Sequence, residues 1–232
     1  MWLPDAVPRC RCQTPTVTDS SGWPLGVDAW AALAGDSPTS RTEWSAVVAA
    51  WSEPHRRYHD LGHLAAVLGL VGELEAAAAD PSAVRLAAWY HDVVYDPTRN
   101  DNEEVSAGRA RAGLRGLVDD ERIAEVERLV LLTADHDAAD DDTNGSVLCD
   151  ADLAVLASPP DAYAAYASAV REEYGHLPDD VFTAGRIAVL EHLMALPALY
   201  RIPTVAAQWT PRARANLTAE LTLLRQRADG AS

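Results

Sequence analysis

Apolar residues recur along most of the chain at intervals of three and four, the spacing of one face of an α-helix. After Asp60, Leu or Val stands at positions 61, 64, 67, 68, 71 and 74. After Asp119, Ile, Val or Leu stands at positions 123, 126, 129, 130 and 132. No stretch shows the sustained alternation of apolar and polar residues that indicates a β-strand. The pattern therefore predicts an all-α fold.

Capping residues and prolines set the predicted helix boundaries. Thr42 and Asp60 stand where an N-cap is expected, Pro81 occupies a first-turn position, and Pro97 ends the helix that leads to His91. The predicted helices cover residues 27–34, 42–51, 61–74, 81 to before 97, about 102–116, 119–134, 147–156, 160–174, 179–196 and about 211–227. Residues 1–26 lack periodicity and are rich in Pro, Ser, Thr and Gly. We expect a poorly ordered arm there and a single helical bundle over residues 27–232.

The amino-acid composition favours helices and argues against nucleic acid and membranes as partners. Hydrophobic residues make up 48% of the chain, most of them the helix formers Ala and Leu, and only one Phe is present. The formal net charge is −16 and every basic residue is Arg, so we expect no nucleic-acid partner, because phosphate backbones require basic surfaces. No apolar stretch reaches membrane-spanning length, and neither a secretory signal nor a disulfide framework is evident. We therefore expect a cytoplasmic protein without a membrane partner.

Histidine and acidic residues gather near the ends of the predicted helices. They are His59, His63, His91, Asp92, His136, Asp150 and Asp152. Imidazole and carboxylate groups are ligands for a divalent ion such as Mn, Mg, Co, Zn or Fe. Separate helices can bring such side chains together in a bundle core. We therefore expect a divalent metal ion as cofactor, although a His-Asp dipeptide alone is frequent by chance.

Longer motifs surround these residues and cover roughly residues 44–200. They are Arg57-Tyr58-His59 with His63, Trp89 to Asp96, Asp101 to Glu104 with Ser106-Ala107, Thr133 with His136, Asp150 to Leu153, Val170 to Tyr174, and Phe182 with Gly185-Arg186. Their order resembles the HD superfamily of metal-dependent phosphohydrolases, and in more detail its branch of predicted HD phosphohydrolases. The resemblance implies an HD-type helical bundle with a metal site in its core.

The resemblance also implies a ligand set. His63, His91, Asp92 and Asp152 match the metal ligands of the superfamily. Asp150 is the alternative to Asp152. Because two residues that are two apart on a helix point in different directions, we expect one of these two aspartates to support the site without binding the ion.

The number of ions stays open at this point. Many members of the superfamily carry two further His ligands for a second metal ion. This chain offers Glu103 or Glu104 in the first of those regions and His136 in the second. One ion is the simpler expectation.

The resemblance implies hydrolysis by metal-activated water, for which three carboxylates are candidate general bases: Asp96, Glu103 and Glu104. Arg suits phosphate binding because its donors form a planar fork, and the candidates are Arg56, Arg57, Arg109 and Arg186. His59 is expected to contact substrate, to support His63 or to form a buried hydrogen bond. His136 is expected to bind a second metal ion or phosphate, or to act as a cation at a helix end.

The leading hypothesis is a phosphohydrolase that acts on a small phosphorylated metabolite, a nucleotide being the expected class from the resemblance. A second hypothesis is a di-iron oxygenase, in which Glu103 and His136 complete a pair of irons. Iron content, oxygen consumption and no phosphatase activity would favour it. A third is a non-catalytic nucleotide-binding or scaffolding module, which would bind nucleotide without turnover. Either a monomer or a homodimer is expected.

Overall fold

The computed structural model describes residues 25–230 of the chain. Most of the predicted N-terminal arm, residues 1–26, therefore lies outside the described residues. The described part is helical and contains no β-strand, so the all-α prediction is confirmed. The helices are α1 (Val27–Ala34), α2 (Pro38–Trp51), α3 (Leu61–Leu74), α4 (Pro81–Tyr90), α5 (Asn102–Leu114), α6 (Asp120–Leu132), α7 (Thr143–Asp152), α8 (Pro160–Glu173), α9 (Asp179–Ala195) and α10 (Pro203–Gly230), with 3-10 helices at Glu75–Ala77 and Leu153–Ala157.

Two predicted helix starts are confirmed by their capping hydrogen bonds. The Asp60 carboxylate accepts the backbone N–H groups of Gly62 and His63 at the start of α3. The Asp80 carboxylate does the same for residues 82 and 83 at the start of α4, where Pro81 fills the first position. Both caps satisfy N–H groups that have no partner within the helix. The first of them also fixes the backbone of a predicted metal ligand.

Four other predicted boundaries are wrong. α4 ends at Tyr90, well before Pro97, which was expected to end it. α2 begins four residues early because Ser37 caps it by accepting the N–H of Ser40, whereas the Thr42 hydroxyl donates to a carbonyl inside the helix. α7 begins at Thr143, where Asp142 caps it, and a 3-10 helix follows it. α10 begins at Pro203 and continues through Pro211, which was expected to open it. Proline is a poor guide here because it occupies both first-turn and interior positions.

The apolar residues form two clusters, so the prediction of a single bundle is not confirmed. The first cluster unites residues of α1 to α7 around Trp30, Trp51 and Trp89, all fully buried. The second unites the 3-10 helix Leu153–Ala157 with α8, α9 and α10. Leu74 and Trp209 pack against both clusters. Within residues 25–230, no helix is both long and apolar enough to cross a membrane.

The first cluster positions the candidate site. Helices α3, α4 and α7 pack against one another. The Trp51 indole lies beneath their junction and donates from Nε1 to the carbonyl of Trp89 at 2.9 Å. This buried hydrogen bond ties α2 to the end of α4, immediately before the His-Asp pair.

Candidate metal centre

Three side chains from three helical elements converge at this junction. His63 lies in the first turn of α3, His91 directly follows α4, and Asp152 is the last residue of α7. His63 Nε2 lies 3.1 Å from His91 Nε2 and 3.0 Å from Asp152 Oδ1. His91 Nε2 lies 3.6 Å from the same carboxylate oxygen. These three residues form a group that could hold a metal ion.

The spacing of these atoms fits one ion. An ion with ligands at about 2.1 Å separates adjacent ligand atoms by roughly 3.0 Å in an octahedral site and roughly 3.4 Å in a tetrahedral site. The observed separations of 3.0, 3.1 and 3.6 Å span these values. Asp92 completes the surroundings, because its Oδ2 lies 3.2 Å from His91 Nε2 and 3.9 Å from His63 Nε2. All four residues expected as ligands therefore lie together.

Hydrogen bonding fixes the tautomer of the neutral His91 ring. Its Nδ1 lies 2.9 Å from the carbonyl oxygen of Ala88, which can only accept, so Nδ1 carries the proton. The lone pair of the neutral ring is then on Nε2, which faces the centre. Metal-binding histidines commonly have this second hydrogen bond because it fixes the tautomer and the ring orientation. The Trp51 ring packs against His91 at 5.3 Å between centroids and restricts the imidazole further.

The two carboxylates and the His91 imidazole of the centre shift the pKa values of one another. Burial raises the pKa of Asp92 and of Asp152, but the charge and hydrogen bonds of His91 and its neighbours outweigh it and leave both values below the ordinary range. Burial lowers the pKa of His91, but the two carboxylates outweigh it and hold that pKa well above the ordinary value. Two ionised carboxylates in a mostly buried pocket attract a cation, which can take the place of the protons on the imidazoles.

One side of the centre reaches solvent. His63 and His91 are buried, whereas the Asp92 and Asp152 side chains are 15% and 13% exposed. His136 lies at this opening, with Nε2 2.8 Å from Asp152 Oδ2. The backbone φ of His136 is +57°, which is unusual for a residue with a side chain. The two oxygens of Asp152 thus face different imidazoles, Oδ1 the ion site and Oδ2 His136.

His59 lies beside the centre and is held by Glu173, a residue to which sequence reasoning gave no role. His59 Nδ1 donates to Glu173 Oε2 at 2.7 Å, and the ring stacks on Tyr95 at 4.2 Å between centroids. Glu173 Oε1 accepts the backbone N–H groups of Arg57, Tyr58 and His59, and Oε2 also accepts the Tyr95 hydroxyl. A single sequence gives no signal for this cluster of contacts, because its partners lie more than 75 residues from Glu173 along the chain.

Asp150 does not face the metal centre. It is fully buried, and its two oxygens accept the backbone N–H groups of Arg201 and Ile202 at 2.8 and 2.9 Å. Burial raises its pKa to about 6 although both hydrogen bonds lower it. The expectation that only one of the two aspartates faces the site therefore agrees with the geometry, and Asp150 has the supporting position.

Three of the four arginines considered for phosphate binding are committed to other partners. The buried Arg56 guanidinium donates to Glu53 and to the carbonyls of His59, Asp92 and Val93, so it holds the loops of the site together and is not free to contact substrate. The others pair with acidic residues: Arg109 with Glu43, and the buried Arg186 with Glu220. Arg57 is the most exposed of the four, at 48%. Its Nη1 donates to the carbonyls of Pro54 and Arg56, and its Nε lies 3.8 Å from Glu172, which is 62% exposed.

The three proposed general bases are not part of the metal-capable group. The backbone N–H and the hydroxyl of Thr98 both donate to the Asp96 carboxylate, and these hydrogen bonds lower the pKa of Asp96. Glu103 and Glu104 occupy the first turn of α5, where Glu104 is exposed and Glu103 is partly buried. Among residues 25–230 no second group of metal-ligating side chains is found.

A cavity of about 870 Å³ adjoins the site without containing it. Arg57, Asp96 and His176 line it, and so do Tyr95 and Glu173. Tyr95 and Glu173 also contact His59, which lies beside the metal centre. This cavity and the candidate metal centre are therefore neighbours. The potential metal-ligating atoms converge outside this cavity, at the candidate metal centre.

No protein-family model, curated protein or solved structure matches this chain.

Proposed function

We propose that this chain is a metal-dependent phosphohydrolase that acts on a small phosphorylated substrate, with a nucleotide as the expected class. The observation that carries the proposal is the convergence of His63, His91 and Asp152, with Asp92 beside them, at a centre that is open on one side. A divalent ion bound there would supply Lewis acidity for the hydrolysis of a phosphate ester. The assignment to phosphate chemistry comes from the resemblance of the motifs to the HD superfamily.

The donor set supports a hydrolytic centre over a purely structural one. Structural zinc sites are typically closed and rich in thiolates, whereas this group contains imidazoles and carboxylates and has an open side. The nearby Cys149 is buried, and burial with the surrounding carboxylates raises its pKa, so its thiol is a poor metal ligand. The partly exposed carboxylates of Asp92 and Asp152 could orient a water molecule at the opening, where His136 Nε2 contacts Asp152 Oδ2.

A screen of phosphorylated metabolites with Mn²⁺, Mg²⁺, Co²⁺, Zn²⁺ or Fe²⁺ tests the proposal. We expect the wild type to release phosphate or pyrophosphate from at least one compound, and Asp92→Ala to lose at least about 100-fold in kcat/KM. Asp161→Ala is the matched control, because Asp161 is exposed at the start of α8 and remote from the centre. Turnover that is the same in the wild type and in Asp92→Ala would overturn the proposal.

Arg57 has the most exposed side chain of the four arginines and lines the cavity beside the metal centre, so it is the arginine we propose for substrate binding. We expect Arg57→Ala to raise KM for a phosphorylated substrate about 10-fold. This is the lower end of the effect expected when a hydrogen bond to a charged group is lost, because the Arg57 side chain is half exposed and solvent weakens the interaction. Arg41→Ala is the control, since Arg41 is a similarly exposed arginine on α2 that pairs with Asp36. Steady-state kinetics give KM for the phosphorylated substrate in both variants. A KM in Arg57→Ala that equals the control value would remove Arg57 from the substrate site.

A further inference from the structure

The segment Tyr200–Ile202, between α9 and α10, contacts both elements that carry the open side of the metal centre. Toward α7, Asp150 accepts the backbone N–H groups of Arg201 and Ile202. The Tyr200 hydroxyl donates to the carbonyl of Leu153 at 2.9 Å. These contacts hold the chain on both sides of Asp152, through the Asp150 side chain before it and the Leu153 carbonyl after it.

The side chain of Arg201 extends from the same segment to the loop after α6. Its Nη2 donates to Asp137 and its Nη1 donates to Asp140, each at 2.7 Å. The Arg201 side chain is only 10% exposed, whereas Asp137 is 50% exposed and Asp140 is fully exposed, so the guanidinium is fixed by its burial and reaches both carboxylates at the surface of the loop. Asp137 directly follows His136 in the chain. Arg201 therefore holds the loop at the residue next to the imidazole that contacts Asp152.

The backbone of His136 needs such an anchor. A left-handed φ of +57° costs energy in a residue with a Cβ, and it persists where the surrounding structure determines it. The His136 N–H also donates to the carbonyl of Leu132, and His192 contacts the carbonyl of Asp135, so Arg201 is one of several restraints on this loop. Its loss would let the part that follows His136 relax toward a more ordinary conformation. That relaxation would draw the His136 ring away from Asp152 Oδ2, which it approaches to 2.8 Å.

We propose that Arg201 is a positioning residue of the metal centre, which through its ion pairs to Asp137 and Asp140 sets the placement of His136 against Asp152. The proposal rests on the proposed metal centre. Arg201 contacts neither the ion site nor substrate, so it acts through the loop and through the orientation of one ligand. Supporting contacts of this kind typically alter metal affinity by about 10- to 100-fold.

The test is Co²⁺ binding to the full chain, measured by titration calorimetry and by the visible absorption of the loaded protein. We expect Arg201→Ala to weaken Co²⁺ binding at least about 10-fold and to change the visible spectrum, which reports ligand geometry. Arg201→Lys should recover part of the affinity, because a single ammonium can still pair with one carboxylate. The double variant Asp137→Asn/Asp140→Asn should weaken binding similarly. It removes only exposed partners and keeps Arg201 itself, so the fold should be retained.

Arg128→Ala is the matched control. Arg128 also pairs with an acidic residue of this region, Asp142, and with Glu125, but it lies at the far end of the loop from His136. Its loss should leave Co²⁺ affinity and the spectrum unchanged. Wild-type affinity and an unchanged spectrum in both Arg201→Ala and the double variant would overturn the positioning role. Absence of Co²⁺ binding in the wild type would instead overturn the metal centre, and the positioning role with it.

Discussion

Asp152→Ala should lose metal affinity on the order of 1000-fold, more than the roughly 10- to 100-fold expected from the loss of a supporting contact. Asp152 Oδ1 lies within 3.0 Å of His63 Nε2 and 3.6 Å of His91 Nε2, so its removal takes one of three converging ligands. It also removes one of the two ionised carboxylates that make the pocket attractive to a cation. Calorimetric titration of the chelator-treated protein with Co²⁺ or Mn²⁺ measures the effect, with one ion bound per wild-type chain.

Two further variants make this result specific. Asp161→Ala removes an exposed carboxylate far from the centre and should bind the ion as the wild type does. Asp152→Asn keeps the size of the side chain and one oxygen but removes the charge, so it should bind the ion more weakly than the wild type and more tightly than Asp152→Ala. A wild-type affinity in Asp152→Ala would mean that the converging side chains are a hydrogen-bonded cluster without a metal function.

Local sequence signals predicted the parts of the fold that local interactions determine. The caps Asp60 and Asp80 satisfy N–H groups only two and three residues away, so their effect can be inferred from a short window. The start of α2 was missed because Thr42 and Ser37 are both acceptable caps, and only the structure shows which one is used. The two apolar clusters could not be told from one, because helical periodicity shows which face is buried but not against which helix it packs.

In the candidate site, too, some residues could be predicted from local sequence and others could not. His63, His91, Asp92 and Asp152 could be named because they stand in motifs, and the structure brings them together. Glu173 and Asp150 also stand in the motifs, but their contacts could not be predicted, because their partners lie 116 and 51 residues away in the chain. Arg56 was taken for a substrate contact for a related reason. Nothing in its neighbourhood in the sequence indicates that the carbonyls of Asp92 and Val93 occupy its donors.

Glu173→Ala should lower the free energy of unfolding by about 3–5 kcal/mol, the cost of leaving buried partners without their charged acceptor. The Glu173 side chain is fully buried and accepts five hydrogen bonds, from the backbone of residues 57–59, the His59 ring and the Tyr95 hydroxyl. Its neighbour Glu172 is the matched control. It is 62% exposed, so Glu172→Ala should change stability by less than about 0.5 kcal/mol. Urea denaturation of both variants gives the comparison.

The Glu173 carboxylate should also make the stability of the wild type depend on pH in the acid range. Burial raises the pKa of Glu173, but the hydrogen bond and charge of His59 and the backbone N–H groups outweigh it and lower the pKa from 4.5 to about 2. Because the folded pKa lies below the unfolded one, the stabilisation is complete above about pH 4.5 and is lost as the pH falls toward 2. The shift corresponds to about 3 kcal/mol. Glu173→Gln should therefore flatten the decline in stability over this range, and a decline as steep as that of the wild type would show that Glu173 is not its source.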